Sequence, residues 1–297
     1  MISESWPALP LNEWKETYAT LHMWTQIVGK IRLVQTPLLN HYWNCTLYVT
    51  PRGLTTSSIP YGDRLFSLDF DLIDHLLMIQ VSNGAVKIIP LRPQPTADFY
   101  RTLMETLAGL GIDVKIHPTP DEVADPIPFD QDDVHASYDK EYVDRFRRIL
   151  QAVDTVFKEF RAQFIGKCSP VHFFWGSFDL AVTRFSGRPA PERQGADAIT
   201  REAYSHEVIS HGFWPGSGAI QQPAFYSYTA PQPSGLAQET IRPHSAFYSQ
   251  EMSEFILMYN DIRKESSPAD PLLEFMQSTY EAGAKTAGWD RAALERK

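Results

Sequence analysis

A chain of 297 residues is long for one ordinary core and suits two domains of about 150 residues each. Apolar residues make up 43%, which excludes disorder throughout; the 12% of aromatics must fill cores, line a cleft, or do both. The 27 basic and 36 acidic residues give a formal charge of −9 without any Lys/Arg cluster, so neither nucleic acid nor an anionic membrane surface is an expected partner.

Met1 to Pro10 has neither a basic n-region nor an apolar run, so no signal peptide is expected. No stretch approaches the roughly 20 apolar residues of a membrane span. Cys45 and Cys168 lie far apart and in no CxxC pair, which excludes a disulfide framework and a Cys-rich zinc site. Reduced, buried thiols in a cytoplasmic protein are the expectation.

In chain order, Leu11, Trp14, Tyr18, Leu21, Trp24 and Ile27 are spaced by three and four and predict a helix over Asn12–Gly29, capped by Asn12 and ended by Gly29. Strands are expected over Cys45–Thr50, Leu65–Asp71, His75–Val81 and Ala85–Leu91, the last two joined by the tight turn Ser82-Asn83-Gly84. A helix over Thr96–Leu110 closes this half. Residues 117–140 carry no period, and with Ile116 the segment holds four Pro and seven acidic residues, so it reads as a linker. Its run Asp130-Gln131-Asp132-Asp133 is either a cation site or, more plainly, a solvated acidic stretch. The stripe Tyr142, Phe146, Ile149, Val153, Val156, Phe160 and Phe164 predicts a long helix. Strands over Phe178–Arg184, Tyr204–Trp214, Ala224–Tyr228 and Phe255–Ile262 follow, then a helix from Asp270.

The expected fold is therefore α+β. It has an N-terminal half (1–116), a linker (117–140) and a C-terminal half (141–297), each half an antiparallel β-meander covered by helices. A weak internal repeat suggests duplication about a pseudo-two-fold. Gln26-Ile27-Val28-Gly29-Lys30 parallels Gln163-Phe164-Ile165-Gly166-Lys167, and Leu47–Thr50 parallels Leu180–Thr183. The offset between halves then grows from 133 to 180, placing an insertion at about 185–230 in the second half. Sites sit on such variable loops held by rigid elements.

The runs Trp175-Gly176-Ser177-Phe178-Asp179-Leu180-Ala181-Val182-Thr183-Arg184-Phe185-Ser186-Gly187-Arg188 and Gly212-Phe213-Trp214-Pro215-Gly216, with Phe225-Tyr226-Ser227-Tyr228, are distinctive. Together they resemble an uncharacterised bacterial family of the domain-of-unknown-function kind, over Trp6 to Trp289. The resemblance implies a standalone bacterial protein and carries no activity, cofactor or catalytic residue with it.

His206-Glu207-Val208-Ile209-Ser210-His211 falls short of a zinc-protease helix. Its two His are five residues apart, about 140° around a helix, and Ser210 stands where the second ligand belongs. His206 or Glu207 in a cleft, or plain strand polar residues, are the remaining readings. His172 is expected to share a strand face with Phe174, Phe178, Leu180 and Val182 unless Gly176 introduces a bulge, and His41 one with Trp43, Cys45, Leu47 and Val49. A His at the end of an apolar face is more often a core residue than a ligand. Asp179 and Thr183 fall on the face opposite Leu180 and Val182, toward solvent or a cleft. Arg184 and Arg188 could clamp an anion or form surface ion pairs. No phosphate-cradling Gly loop, GxSxG elbow or Cys-His signature occurs.

The function expected is binding of a small organic molecule, with catalysis open, in an aromatic-lined cleft of the C-terminal half. His206, Glu207 and His172 are the candidate catalytic groups. Asp179, Arg184, Trp175, Trp214 and Tyr226 are the candidate substrate-binding residues. The alternatives are a His/Glu metal-dependent enzyme and an interaction protein with an aromatic dimer interface. Cofactor, metal and oligomeric state stay open at this level.

Overall fold

The computed structural model describes residues 5–296; Met1–Glu4, part of the opening read for a signal peptide, and Lys297 lie outside them. The first helix, α1, spans Leu11–Gln35 and starts without a side-chain cap, so Asn12 does not cap it. Gly29 does not end it either. A Cβ there would lie 2.1 Å from Trp175 Cδ1, so this glycine lets the indole rest directly on the helix backbone. From Thr20 to Arg32 every residue of α1 is buried, which makes it a central helix rather than a one-sided one. Its polar positions are satisfied across the chain. Gln26 Nε2 donates to the Asp121 carbonyl at 2.8 Å and Lys30 pairs with the Asp121 carboxylate at 2.7 Å.

Next comes a 3-10 turn over Asn40–Cys45, in which His41 and Tyr42 have φ near +60°. That turn replaces the start of the expected strand, so His41, Trp43 and Cys45 share no strand face with Leu47 and Val49. The N-terminal sheet comprises β1 (Tyr48–Val49), β2 (Gly53–Thr55), β3 (Ile59–Tyr61), β4 (Arg64–Asp71), β5 (Leu76–Val81) and β6 (Val86–Pro90). It is antiparallel in the order β1-β2-β4-β5-β6, with β3 also on β4. Helix α2 (Thr96–Gly109) turns Phe99, Leu103 and Leu107 into the core.

Residues 117–140 are no free tether. Phe129 and Tyr138 are buried in the core. Asp132, at the centre of the acidic run, is fully buried and pairs with His135 Nδ1 at 2.7 Å. The carbonyls of Asp132 and His135 accept from the first backbone N–H groups of α2, Ala97 and Thr96, so the run holds a helix start.

Helix α3 (Lys140–Ala162) is capped by the Asp139 carboxylate. The second sheet takes β7 (His172–Phe174), β8 (Asp179–Pro189), β9 (His206–Trp214), β10 (Ala224–Ala230), β11 (Phe247–Ser249) and β12 (Glu254–Met258). It is antiparallel in the order β11-β12-β10-β9-β8-β7. A short α4 (Ala198–Ala203) precedes β9, and α5 (Tyr259–Ile262), α6 (Ala269–Thr286) and α7 (Arg291–Leu294) end the chain. Helices α3 and α6 cover one face of this sheet: Phe160 and Thr279 both meet His211 of β9.

The architecture is thus α+β, with one antiparallel six-stranded sheet in each half. Both halves run helix, five-strand meander, helix, with one extra strand each. The sheets meet where Leu47 and Phe173 exchange backbone hydrogen bonds of 2.9 and 2.8 Å. The matching sequences fall at different places in the two meanders: Leu47–Thr50 leads into the first strand, whereas Leu180–Thr183 lies in the second. A single hydrophobic cluster spans both halves. Among the described residues, no helix is long and apolar enough to cross a membrane.

Candidate functional site

Strand alternation decides what the second sheet offers. On β8, Val182 and Arg184 face the helices, while Asp179, Ala181, Thr183 and Phe185 face away from them. The register extends that second face. Ala181 pairs with Gly212, Thr183 with Ser210 and Phe185 with Val208 on β9; Gly212 pairs in turn with Tyr226, and Ser210 with Tyr228, on β10. The Asn40–Cys45 turn, α4 and the Asp121–Glu122 segment arch over it. Between them lies a cavity of about 360 Å³, walled chiefly by Trp43, Trp175, Phe185, Tyr204, Tyr226 and Tyr228.

Gly212 shapes this floor. A Cβ on it would fall 2.2 Å from Cζ of Tyr226, so the phenol lies flat across the strand. Its hydroxyl thereby donates to Asp179 Oδ2, while Ser177 Oγ donates to Oδ1 at 2.6 Å. Asp179 is buried, and burial raises its carboxyl above the usual range, the two hydroxyl donors pulling it part of the way back. Burial and then Asp179 also raise Glu122, at the cavity mouth, and push Glu254 on β12 up to about 7. Farther along, Thr183 and Ser210 hydroxyls meet at 2.9 Å, and Tyr204 and Tyr228 at 3.0 Å.

The far end of β8 has the opposite polarity. Lys167 donates to His41 Nε2 at 2.6 Å, and His41 Nδ1 donates to the Glu202 carbonyl at 3.1 Å. Burial and then Lys167 lower the His41 pKa, which keeps the ring a neutral acceptor. Phe185, whose ring meets His41 at a tilt with centroids 4.7 Å apart, is six residues from Asp179, so the two ends lie about 20 Å apart along the strand. Left-handed backbone borders this cavity at His41, Tyr42 and Glu122, and again at Phe178 just before Asp179. Such conformations cluster at functional sites. Cys45 also lines the cavity, but burial pushes its thiol up to about 12, which argues against a nucleophile.

Of the residues singled out in the sequence, Asp179, Trp175 and Tyr226 meet at this cavity. Trp214 shares the face but packs beside Tyr226, in a neighbouring cluster with Ala224 and Ile256. His206 stands edge-on to His41 at 5.6 Å, behind the wall. Glu207, the next residue on the strand, points the other way and pairs with Arg188 at 2.7 Å. His172 lies on the face of Ala181 rather than of Leu180, because a turn at 175–178 folds β7 back on β8. It is buried against Trp43 and Tyr48, with no partner for either ring nitrogen. Burial lowers its pKa to about 3. His172, His206 and Glu207 are therefore not brought together around one reactant. Among the described residues, no three His, Cys, Asp or Glu side chains gather as metal ligands.

Arg184 lies on the helix side of the sheet, its guanidinium 3.4 Å from the Phe160 ring centroid and 4.3 Å from that of Tyr280. It is buried among these rings, on the face of the sheet away from the cavity. Sequence reasoning missed Tyr228, Trp43 and Glu122. Tyr228 was legible as the next same-face residue after Tyr226; Glu122 lay in a segment read as linker.

The sequence matches DUF5996, a family of unknown function, over residues 6–296. The chain belongs to that family. The DUF5996 match takes in both halves and every wall of the cavity. No curated protein and no solved structure matches the chain.

Proposed function

We propose that this protein binds a small organic molecule in the cavity between the C-terminal sheet and the Asn40–Cys45 turn. The observation that carries this reading is the buried Asp179 set among aromatic walls. Few polar groups converging in an apolar concavity is the usual composition of a small-molecule site. Any proton transfer to the occupant would run through Asp179 and its donor Tyr226. The metal-enzyme reading draws no support from His172, His206 and Glu207, which face three different environments. An aromatic dimer interface draws little, since among the described Trp and Phe residues Phe247 is the exposed one.

A thermal-melting screen of small aromatic alcohols, amines and acids tests the proposal. Hits should raise the wild-type Tm by a few degrees, since ligand at about 100 times its Kd adds about 2.7 kcal/mol. They should leave Ala181→Phe unmoved, because that ring would fill the middle of the cavity floor. Equal shifts in both proteins, or no shift in wild type across the panel, contradict the proposal.

A further inference from the structure

We propose that the occupant is an organic cation, an alkyl- or quaternary ammonium, held with its charge at Asp179 and its carbon groups against the surrounding rings. The inference rests on the cavity being a binding site and adds the chemical class of what it takes.

The first ground is a missing countercharge. Asp179 is buried, and its oxygens are met by hydroxyls and by no cation. The charged groups acting on Glu122 and Glu254 are other carboxylates, Asp179 foremost. The nearby Lys30 is taken by Asp121 at 2.7 Å, and Lys167 sits at the opposite end on His41. An unpaired buried carboxylate is costly, so this end of the cavity is electrostatically incomplete without a positive guest.

The second ground is the wall. Trp175 and Tyr226 line the cavity on the Asp179 side, with Phe174 paired opposite Asp179 on β7, and Tyr228 continues the wall by stacking on Tyr226 at 6.0 Å. Ring faces around one carboxylate attract ammonium groups through the quadrupole, and do so best when water is excluded. An ordinary metal site would instead gather several oxygen or nitrogen ligands, and no such set is formed among the described residues.

The test uses three probes of similar shape: benzyltrimethylammonium, benzyl alcohol and benzoate, titrated into the full chain by calorimetry. Benzyltrimethylammonium should bind at least about tenfold more tightly than benzyl alcohol, and benzoate should be the weakest. Asp179→Asn should lose about tenfold or more for the ammonium and leave benzyl alcohol within about threefold. If Asp179→Asn fails to fold, Glu122→Gln at the exposed mouth carries the test, with a loss of about twofold or more for the ammonium alone. Benzyl alcohol or benzoate binding as well as the ammonium, or an ammonium affinity unchanged in the folded variant, overturns the inference and leaves the cavity reading standing. Failure of all three probes to bind wild type overturns both.

Discussion

Replacing Phe160 by Ala is expected to lower stability by about 3–5 kcal/mol, read as a shift of the urea midpoint at constant slope. Phe160 lies on α3 and is fully buried. Its ring carries the Arg184 guanidinium at 3.4 Å and meets His211 edge-on at 4.7 Å. Truncation therefore leaves a cavity and also strips a buried cation of one of the three rings around it, Phe164 and Tyr280 being the others. Phe160→Leu keeps much of the volume and loses the ring face, so about 1–2 kcal/mol is expected. A loss under about 1 kcal/mol for Phe160→Ala would mean that α3 does not pack on this sheet.

His172→Phe should make the protein less sensitive to acid. The folded His172 has its pKa lowered to about 3, against 6.5 for the unfolded chain. The fold thus holds the ring neutral, and its contribution is fully present above pH 6.5. It is lost as pH falls from 6.5 toward 3, because the unfolded state takes up the proton first. At pH 5 the loss amounts to about 2 kcal/mol. Neither ring nitrogen has a partner, so a phenyl ring forfeits no hydrogen bond and removes the acid-linked loss. Between pH 7 and 5, Tm should fall less in His172→Phe than in wild type. Equal falls, or a variant much weaker at pH 7, would contradict this placement of the ring.

The fold was legible wherever a period ran uninterrupted. The stripe from Tyr142 to Phe160, the Ser82-Asn83-Gly84 hairpin and the alternation of β8 all led to the observed elements, although α3 ends at Ala162, short of Phe164. Reading failed where one local signal had a tertiary cause. Gly29 looked like a helix end because a glycine there usually is one, yet it serves the close approach of Trp175, which is 146 residues away in the chain. Asp132 looked solvated because acidic runs usually are, yet it is buried against the start of α2.

The site divided in the same way. Asp179 lines the cavity because alternation puts it on the face of the strand opposite Leu180 and Val182. His206 and Glu207 are candidates by their place in the inserted segment, yet adjacent residues on a strand face opposite sides and cannot act as one pair. Arg184 fits neither an anion clamp nor a surface ion pair, because strand parity puts it with Val182 toward the helices.

Incorporating 5-fluorotryptophan and following the 19F spectrum during a benzyltrimethylammonium titration tests the central claim most directly. The seven Trp residues report on distinct places. Trp43 and Trp175 line the cavity, and Trp14 and Trp24 are buried in the shared core. With resonances assigned by single Trp→Phe variants, the Trp43 and Trp175 signals should move in a saturable way while those of Trp14 and Trp24 stay fixed. Saturable shifts confined to Trp6 or Trp289 would contradict a binding site at this cavity, and no shift at any tryptophan would contradict its taking an organic ammonium.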